Sequence, residues 1–226
     1  MIYQKYQKVA RTATAVAAML IVAACDSGAS TGDSANVYDQ ATLDAANVYV
    51  EGKSGTWGDI VYGSEDAPIT VIEYGSLTCG ACGAFSRDTF PKLEEEFINT
   101  GKVKFIFRNL VRDSVDMVAS TVARCRDPET SKRLNHLFFD RQSDWLGAQD
   151  RNAALAKLAR RAVNMSRTEF DRCASDRDLM KNLTEMTNSG ARDFNVRSTP
   201  TIFINGAGLA DFRWDNFKKV LEEQAP

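Results

Sequence analysis

The hydrophobic pattern of this chain changes period several times, and each change marks an element. Ile69–Tyr74 is a short run rich in β-branched residues, with Ile69 and Val71 on one parity and Ile72 and Tyr74 on the other. Apolar residues on both parities predict a strand covered on both faces. Phe90, Leu93 and Phe97 then repeat at helical spacing, predicting a helix from about 80 to 99 with a kink at Pro91. Lys102–Arg108 returns to strand character, and Asp59–Tyr62 is a candidate edge strand. Strand, helix and strand within about 40 residues predict a βαβ unit with parallel strands.

The next stretch is helical for about 75 residues. Val115, Val118, Val122 and Cys125 share one helix face, Leu137–Trp145 predicts a second helix, and Leu155, Leu158, Ala159 and Ala162 mark a third. Ser166 and Glu169 form a capping-box pattern for a fourth. Phe170, Cys173, Leu179, Leu183 and Met186 carry helical spacing on toward Asn195. Thr201–Ile204 predicts a strand ending in an Asn205-Gly206 hairpin turn. Phe212–Glu223 closes the chain with Trp214, Phe217 and Leu221 on one face. The fold class that follows is α/β, with an all-helical insertion at about 112–192 splitting an ordered domain of 57–226.

The 226 residues include 28 bases and 30 acids, and 44% are hydrophobic, an ordinary globular composition that lacks the basic excess of a nucleic-acid binder. Residues 1–24 carry Lys5, Lys8 and Arg11, no acid, and an apolar stretch of 13 residues from Thr12 to Ala24. That stretch is short for a membrane-spanning helix, and its charge and small-residue ending read as a secretory signal. Without it, 25 bases face 30 acids. Val22-Ala23-Ala24-Cys25 resembles a bacterial lipobox, with Cys25 as the lipidated residue; ordinary cleavage near Ala24 is the alternative. The small and polar residues 26–36 suit a flexible tether, which we extend over 25–56. An anchored, exported chain would sit on the periplasmic side of a bacterial membrane, where disulfides persist.

With five cysteines and one histidine, His136, the candidate chemistry is that of sulfur. Cys79-Gly80-Ala81-Cys82 falls where the strand gives way to the helix. Two intervening residues on a first helical turn bring the sulfurs within bonding distance. The first sulfur then faces unpaired amides and the positive end of the helix dipole, which lowers a thiol pKa. A zinc site would need a second cysteine or histidine pair, and haem attachment would need histidine where Gly83 stands; no metal or dissociable cofactor is implied. Thr199-Pro200 precedes a strand. It is either a plain loop proline or a cis-proline packed against the sulfurs, leaving the Thr199 backbone to pair with an extended substrate segment. Glu73, six residues before Cys79 on a strand covered on both faces, would be desolvated with a raised pKa and able to exchange a proton with Cys82. A solvated strand-end glutamate is the alternative. His136, distant from the motif, reads as a helix-surface residue.

The run Val71-Ile72-Glu73-Tyr74, the Cys79–Cys82 motif with Gly83-Ala84-Phe85, and Thr199-Pro200-Thr201-Ile202-Phe203-Ile204-Asn205-Gly206 together resemble the DsbA family of thiol:disulfide oxidoreductases, in its alphaproteobacterial type. The resemblance runs from about residue 57 to the C-terminus and takes in Ala123-Arg124-Cys125 and Glu169-Phe170-Asp171-Arg172-Cys173. It implies a thioredoxin-like fold, a cis Thr199-Pro200 bond, Cys79 as nucleophile, Cys82 as the resolving thiol, and an acid at the Glu73 position paired with Lys104. It implies cysteine-containing envelope proteins as substrates and a membrane redox partner of DsbB or DsbD type, while the short polar tether, with no dimerisation domain evident, makes a monomer the expected state. In an exported chain, Cys125 and Cys173 read as a disulfide, as in related members, rather than as two buried thiols. The best-known member has Pro-His where Gly80-Ala81 stand and Val where Thr199 stands. The missing histidine should leave the Cys79 pKa higher and the pair less oxidising. The reading leans to a disulfide oxidase, with a dedicated reductase or isomerase, or a lipoprotein using the scaffold for binding, as the alternatives.

Overall fold

The computed structural model describes residues 58–224. The signal, the lipobox Cys25 and the tether therefore lie outside the described residues. Five strands form one mixed sheet: β1 (Ile60–Tyr62), β2 (Ile69–Gly75), β3 (Val103–Asn109), β4 (Thr201–Ile204) and β5 (Ala207–Leu209), in the order β1-β3-β2-β4-β5. β2 runs parallel to β3 and antiparallel to β4, so the βαβ unit expected from periodicity is present. Every residue of β2 is buried, as two apolar parities require. Asn205 and Gly206, both at positive φ, make the two-residue turn between β4 and β5.

The helix α1 follows β2 as four consecutive turns, Gly80–Ala84, Phe85–Thr89, Phe90–Leu93 and Glu94–Ile98, the second and fourth widened to π geometry. Pro91 explains the first widening. It has no N–H to give to the carbonyl one turn back, and the π turn ends just before it. The insertion between β3 and β4 comprises α2 (Ser114–Ala123), α3 (Pro128–Asp140), α4 (Gln142–Leu146), α5 (Arg151–Val163), α6 (Arg167–Ala174) and α7 (Arg177–Asp193). α8 (Trp214–Gln224) closes the fold.

Two boundaries differ from the sequence reading, each for a visible reason. The helix expected over Leu137–Trp145 is two helices, the first beginning at Pro128. Asp127 caps it by accepting from the Thr130 amide at 2.9 Å, and Pro128 occupies the first turn, where an amide is not needed. The Ser166–Glu169 capping box is half formed. Ser166 Oγ accepts from the Glu169 amide at 3.2 Å, but the Glu169 carboxylate turns outward to clamp the Arg126 guanidinium with both oxygens.

The sheet separates two apolar layers. Ile69, Val71, Phe105 and Phe107 face α1, α8 and most of the insertion. Ile72, Tyr74, Ile106 and Phe203 face Phe194 and Val196. The insertion is stapled within itself by a Cys125–Cys173 disulfide with Cα atoms 5.5 Å apart, joining the end of α2 to α6. Closing that 48-residue separation is worth about 4 kcal/mol on a chain-entropy basis. Replacing both cysteines by alanine should therefore lower the denaturant midpoint by an amount of this order or less, while Cys79 alkylates at its parental rate. An unchanged midpoint would mean that the bridge adds no stability.

Candidate active site

β2 ends at Gly75 and α1 begins at Gly80, so four residues carry the chain from sheet to helix. Asp116 of α2, with no exposed surface, fastens this link. Its Oδ2 accepts from Ser76 Oγ at 2.7 Å and its Oδ1 from the Leu77 amide at 2.9 Å, and the Arg112 amide adds a third bond at 3.0 Å. Gln142 of α4 fastens the other end, its Nε2 donating to the carbonyls of Leu77 and Cys79, both at 2.9 Å. Gly83 makes room for it: a Cβ there would lie 2.5 Å from Gln142 Oε1. Neither Asp116 nor Gln142 carries a motif, and each lies dozens of residues from Cys79. Only the fold brings them to the link.

Cys79 stands at the N-cap of α1 and Cys82 inside its first turn, both as free thiols. Cys79 keeps 5% of its surface and Cys82 none. The Cys82 thiol hydrogen-bonds to Cys79, and with the amides of Cys82 and Ala81 it holds the Cys79 thiol down at about 5 against the opposing effect of burial. The same bond, burial and the nearby Glu73 carboxyl push the Cys82 thiol strongly up. The pair is therefore polarised: one sulfur is a thiolate at neutral pH, and the other is a buried proton holder. A value of about 5 lies above the roughly 3.5 of a DsbA cysteine and below the roughly 7 of thioredoxin.

The Thr199-Pro200 bond is cis, and the Thr199 carbonyl lies 3.3 Å from the Cys79 sulfur, a hydrogen bond that only the protonated thiol donates. The structure thus brings Cys79, Cys82, Thr199 and Pro200 into one site. Glu73 lies below them, 3% exposed, with Oε1 unpartnered. Burial, with a contribution from Cys79, pushes its carboxyl up to about 8. Gly75 keeps the space beside it, since a Cβ there would meet Glu73 Oε1 at 2.9 Å and the Phe107 ring at 2.5 Å.

Lys104 does not pair with Glu73. The β2–β3 register sets Lys104 opposite Thr70 and Phe107 opposite Glu73, so the lysine and the acid project from opposite faces of the sheet. Lys104 Nζ lies instead 3.5 Å from Glu65. His136 is on the exposed side of α3, as expected, yet it also lines the cavity that Glu73 enters, a proximity that sequence distance hides. Cys125 and Cys173 are bonded to each other and lie in the insertion, apart from the pair.

Two titrations follow from these electrostatics. Alkylation of Cys79 in the reduced protein should rise with pH through a midpoint near 5, and a midpoint near 8 would refute the hydrogen-bonded thiolate. The depressed pKa also stabilises the reduced fold at high pH, a gain lost as pH falls through about 5. Glu73 has the opposite sign. Its raised pKa costs nothing below about 4.5, costs progressively more as pH climbs to about 8, and is constant above. The stability of Glu73→Gln relative to the parent should thus grow by up to a few kcal/mol across that window, measured by urea unfolding at stepped pH.

Known proteins match this geometry. The thioredoxin family model Thioredoxin_4 spans residues 56–223. The disulfide bond formation protein D of Bacillus subtilis is 28% identical over 183 residues, which is 79% of this chain and 82% of that protein. A putative protein-disulfide oxidoreductase of Rickettsia bellii is 26% identical over 165 residues; the match covers 73% of this chain and 64% of the longer Rickettsia protein. Among solved structures, alpha-DsbA1 of Wolbachia pipientis superimposes with a TM-score of 0.68 at 26% identity, over 74% of this chain and 90% of that one. The chain belongs to the thioredoxin family, among its DsbA-like protein-disulfide oxidoreductases.

Proposed function

We propose that this oxidoreductase works through Cys79 and Cys82 on exported proteins and leans to disulfide donation. The observation that carries the reading is the polarised pair: a Cys79 sulfur held as thiolate at the head of α1, hydrogen-bonded to a buried Cys82. In the donating direction, a substrate thiolate attacks Cys79 Sγ of the disulfide form. Cys82 leaves and takes up a proton, and Glu73 is the group placed to provide it. A second substrate thiolate then attacks its partner sulfur in the mixed disulfide, and Cys79 departs as a thiolate that needs no proton. A thiolate stable at neutral pH is a good leaving group, and it favours the reduced form of the enzyme, which makes its disulfide an oxidant. Thr199 and Pro200 bound the site from the other side, and on this reading the Thr199 backbone is the group that an extended substrate segment would pair with.

Substrates are, on this reading, cysteine-containing envelope proteins, and a membrane redox partner of DsbB or DsbD type resets the pair. The Cys125–Cys173 bridge supports residence in an oxidising compartment. We extend the proposal to export by residues 1–24 and to lipid attachment at Cys25, readings of the sequence alone. Among the described residues no helix is long and apolar enough to cross a membrane.

The reduction potential of the pair, titrated against glutathione, should lie on the oxidising side of thioredoxin's roughly −270 mV and short of DsbA's roughly −120 mV. A value at or below the thioredoxin end would replace disulfide donation with a reductase or isomerase role. Cys82→Ala should accumulate mixed disulfides through Cys79 in cells. Their absence, with Cys79→Ser leaving envelope disulfides unchanged, would leave only a binding scaffold.

A further inference from the structure

Three buried side-chain polar atoms are without a hydrogen-bond partner among the described residues: Glu73 Oε1 and both amide atoms of Asn135. All three belong to residues that line one cavity, between the sheet and α3. An unpaired buried polar atom is costly, so three gathered at one void call for an explanation. The void has about 20 Å³ of room for water, enough for one molecule, and a water needs two to four polar partners. Its other walls are five phenylalanine rings, Tyr62, Ser86 and His136. The next residue of α3, His136, is exposed and lines the same cavity, so it stands where the cavity meets solvent.

We propose that Asn135 and His136 form a proton port for Glu73: Asn135 holds a water against the buried carboxyl, and His136 exchanges that water's proton with solvent. The amide orients the water through its donor and acceptor and does not itself carry the proton, whereas imidazole both donates and accepts. Asn135 is thus a positioning residue and His136 the exchanging group. The proposal rests on the Cys79–Cys82 reading and adds to it the route by which Glu73 is recharged.

The step balances without any outside redox agent. When a mixed disulfide on Cys79 closes, Cys82–SH passes its proton to the Glu73 carboxylate. The Cys82 sulfur attacks Cys79 Sγ, the new S–S bond forms, and the bond to the substrate breaks with its electron pair leaving on the substrate sulfur. Glu73 then holds one proton, which the water and His136 return to solvent. In the donating direction the same proton travels inward. Glu73 pushed up to about 8 is suited to both, because it binds and releases a proton near neutral pH. Other charged and titratable groups face this end of the site. Cys79 of α1 acts on Glu73, the half-buried Tyr62 of β1 lines the cavity, and Lys132 of α3 lies 5.6 Å over the Tyr62 ring. Glu94 of α1, Glu129 of α3 and Arg124 act on Tyr62 in turn. None of these offers Glu73 a hydrogen bond, which leaves the cavity as its outlet.

The test uses the full chain carrying a preformed mixed disulfide between Cys79 and a single-cysteine peptide, with peptide release followed by stopped flow across pH. Asn135→Leu and His136→Ala should each slow release at pH 7 by about fivefold or more. Free imidazole in the buffer should restore His136→Ala, and the alkylation rate of Cys79 in the reduced protein should stay at the parental value. Release at the parental rate in both variants overturns the proposal, as does parallel loss of release and alkylation, which would indicate damage to the site. Failure of imidazole to restore His136→Ala removes the histidine from the route. A parent chain that never closes its mixed disulfide would instead overturn the Cys79–Cys82 reading beneath it. His136 is exposed, so that variant tests the port even if the buried Asn135→Leu does not fold.

Discussion

The placement of Cys79 depends on one buried carboxylate. Within the four-residue link between β2 and α1, Thr78 and Cys79 turn their amides back onto Ser76, and Asp116 accepts from the Ser76 hydroxyl and the Leu77 amide. Burial raises the Asp116 pKa, and the bonds it receives oppose that rise. A carboxylate with no exposed surface is tolerable only because Ser76, Leu77, Arg112 and Ser120 all donate to it. The consequence is geometric: the link is held from α2, and the first turn of α1 is aimed from there. Gln142 repeats the device from α4 at the Leu77 and Cys79 carbonyls. The helical insertion is therefore the clamp that sets where the reactive sulfur sits, and it is more than a cover over the sheet.

That clamp has to be fixed to the sheet, and buried arginines help fix it. Arg124, at the end of α2, is fully buried. It donates to Asn109 of β3 and to the carbonyls of Gly58 and Phe107, and desolvation lowers its pKa to about 10. Arg108 of β3 grips Asp59 with two bonds of 2.8 and 2.9 Å and reaches the Tyr74 hydroxyl at 3.1 Å. Buried ion pairs of this kind are weak evidence of net stability, because desolvation offsets most of the attraction. Their multiple directional bonds instead define one docking angle. An arginine adjoining the bridged Cys125 thus ties the stapled insertion to the strand next to β2.

How much of this was legible depends on range. Elements whose periodicity is local were readable: β2 from its two apolar parities, α1 from Phe90, Leu93 and Phe97, and the β4–β5 turn from Asn205-Gly206. The sulfur pair was readable because its spacing carries its own chemistry. The Cys125–Cys173 pairing was read from the exported context and from related members, and the residues at Thr199-Pro200 left two readings open until the resemblance favoured the cis-proline, since contacts across 48 and 120 residues leave no mark in spacing. Lys104 shows the limit of that route, because a loosely aligned strand gave the wrong parity and so the wrong face. Asp116, Gln142 and Asn135 had no signature at all. A polar residue in an amphipathic helix reads as solvent-facing until its tertiary neighbours are known.

The same distinction explains why a plain Gly-Ala dipeptide suffices between the cysteines. The depression of the Cys79 pKa has as its largest cause the Cys82 thiol, followed among the favourable contributions by Thr199 and the first-turn amides. All of these are fixed by the backbone of α1 and by the segment before β4, and none is a side chain of Gly80 or Ala81. Both of those residues are exposed, and a Cβ at Gly80 would meet no atom within 4 Å. The fold therefore makes the thiolate, and the dipeptide only adjusts it. What an exposed, uncrowded dipeptide leaves beside the sulfur is open space, so the side chains that border Cys79 come from elsewhere in the fold, among them the Thr199-Pro200 segment.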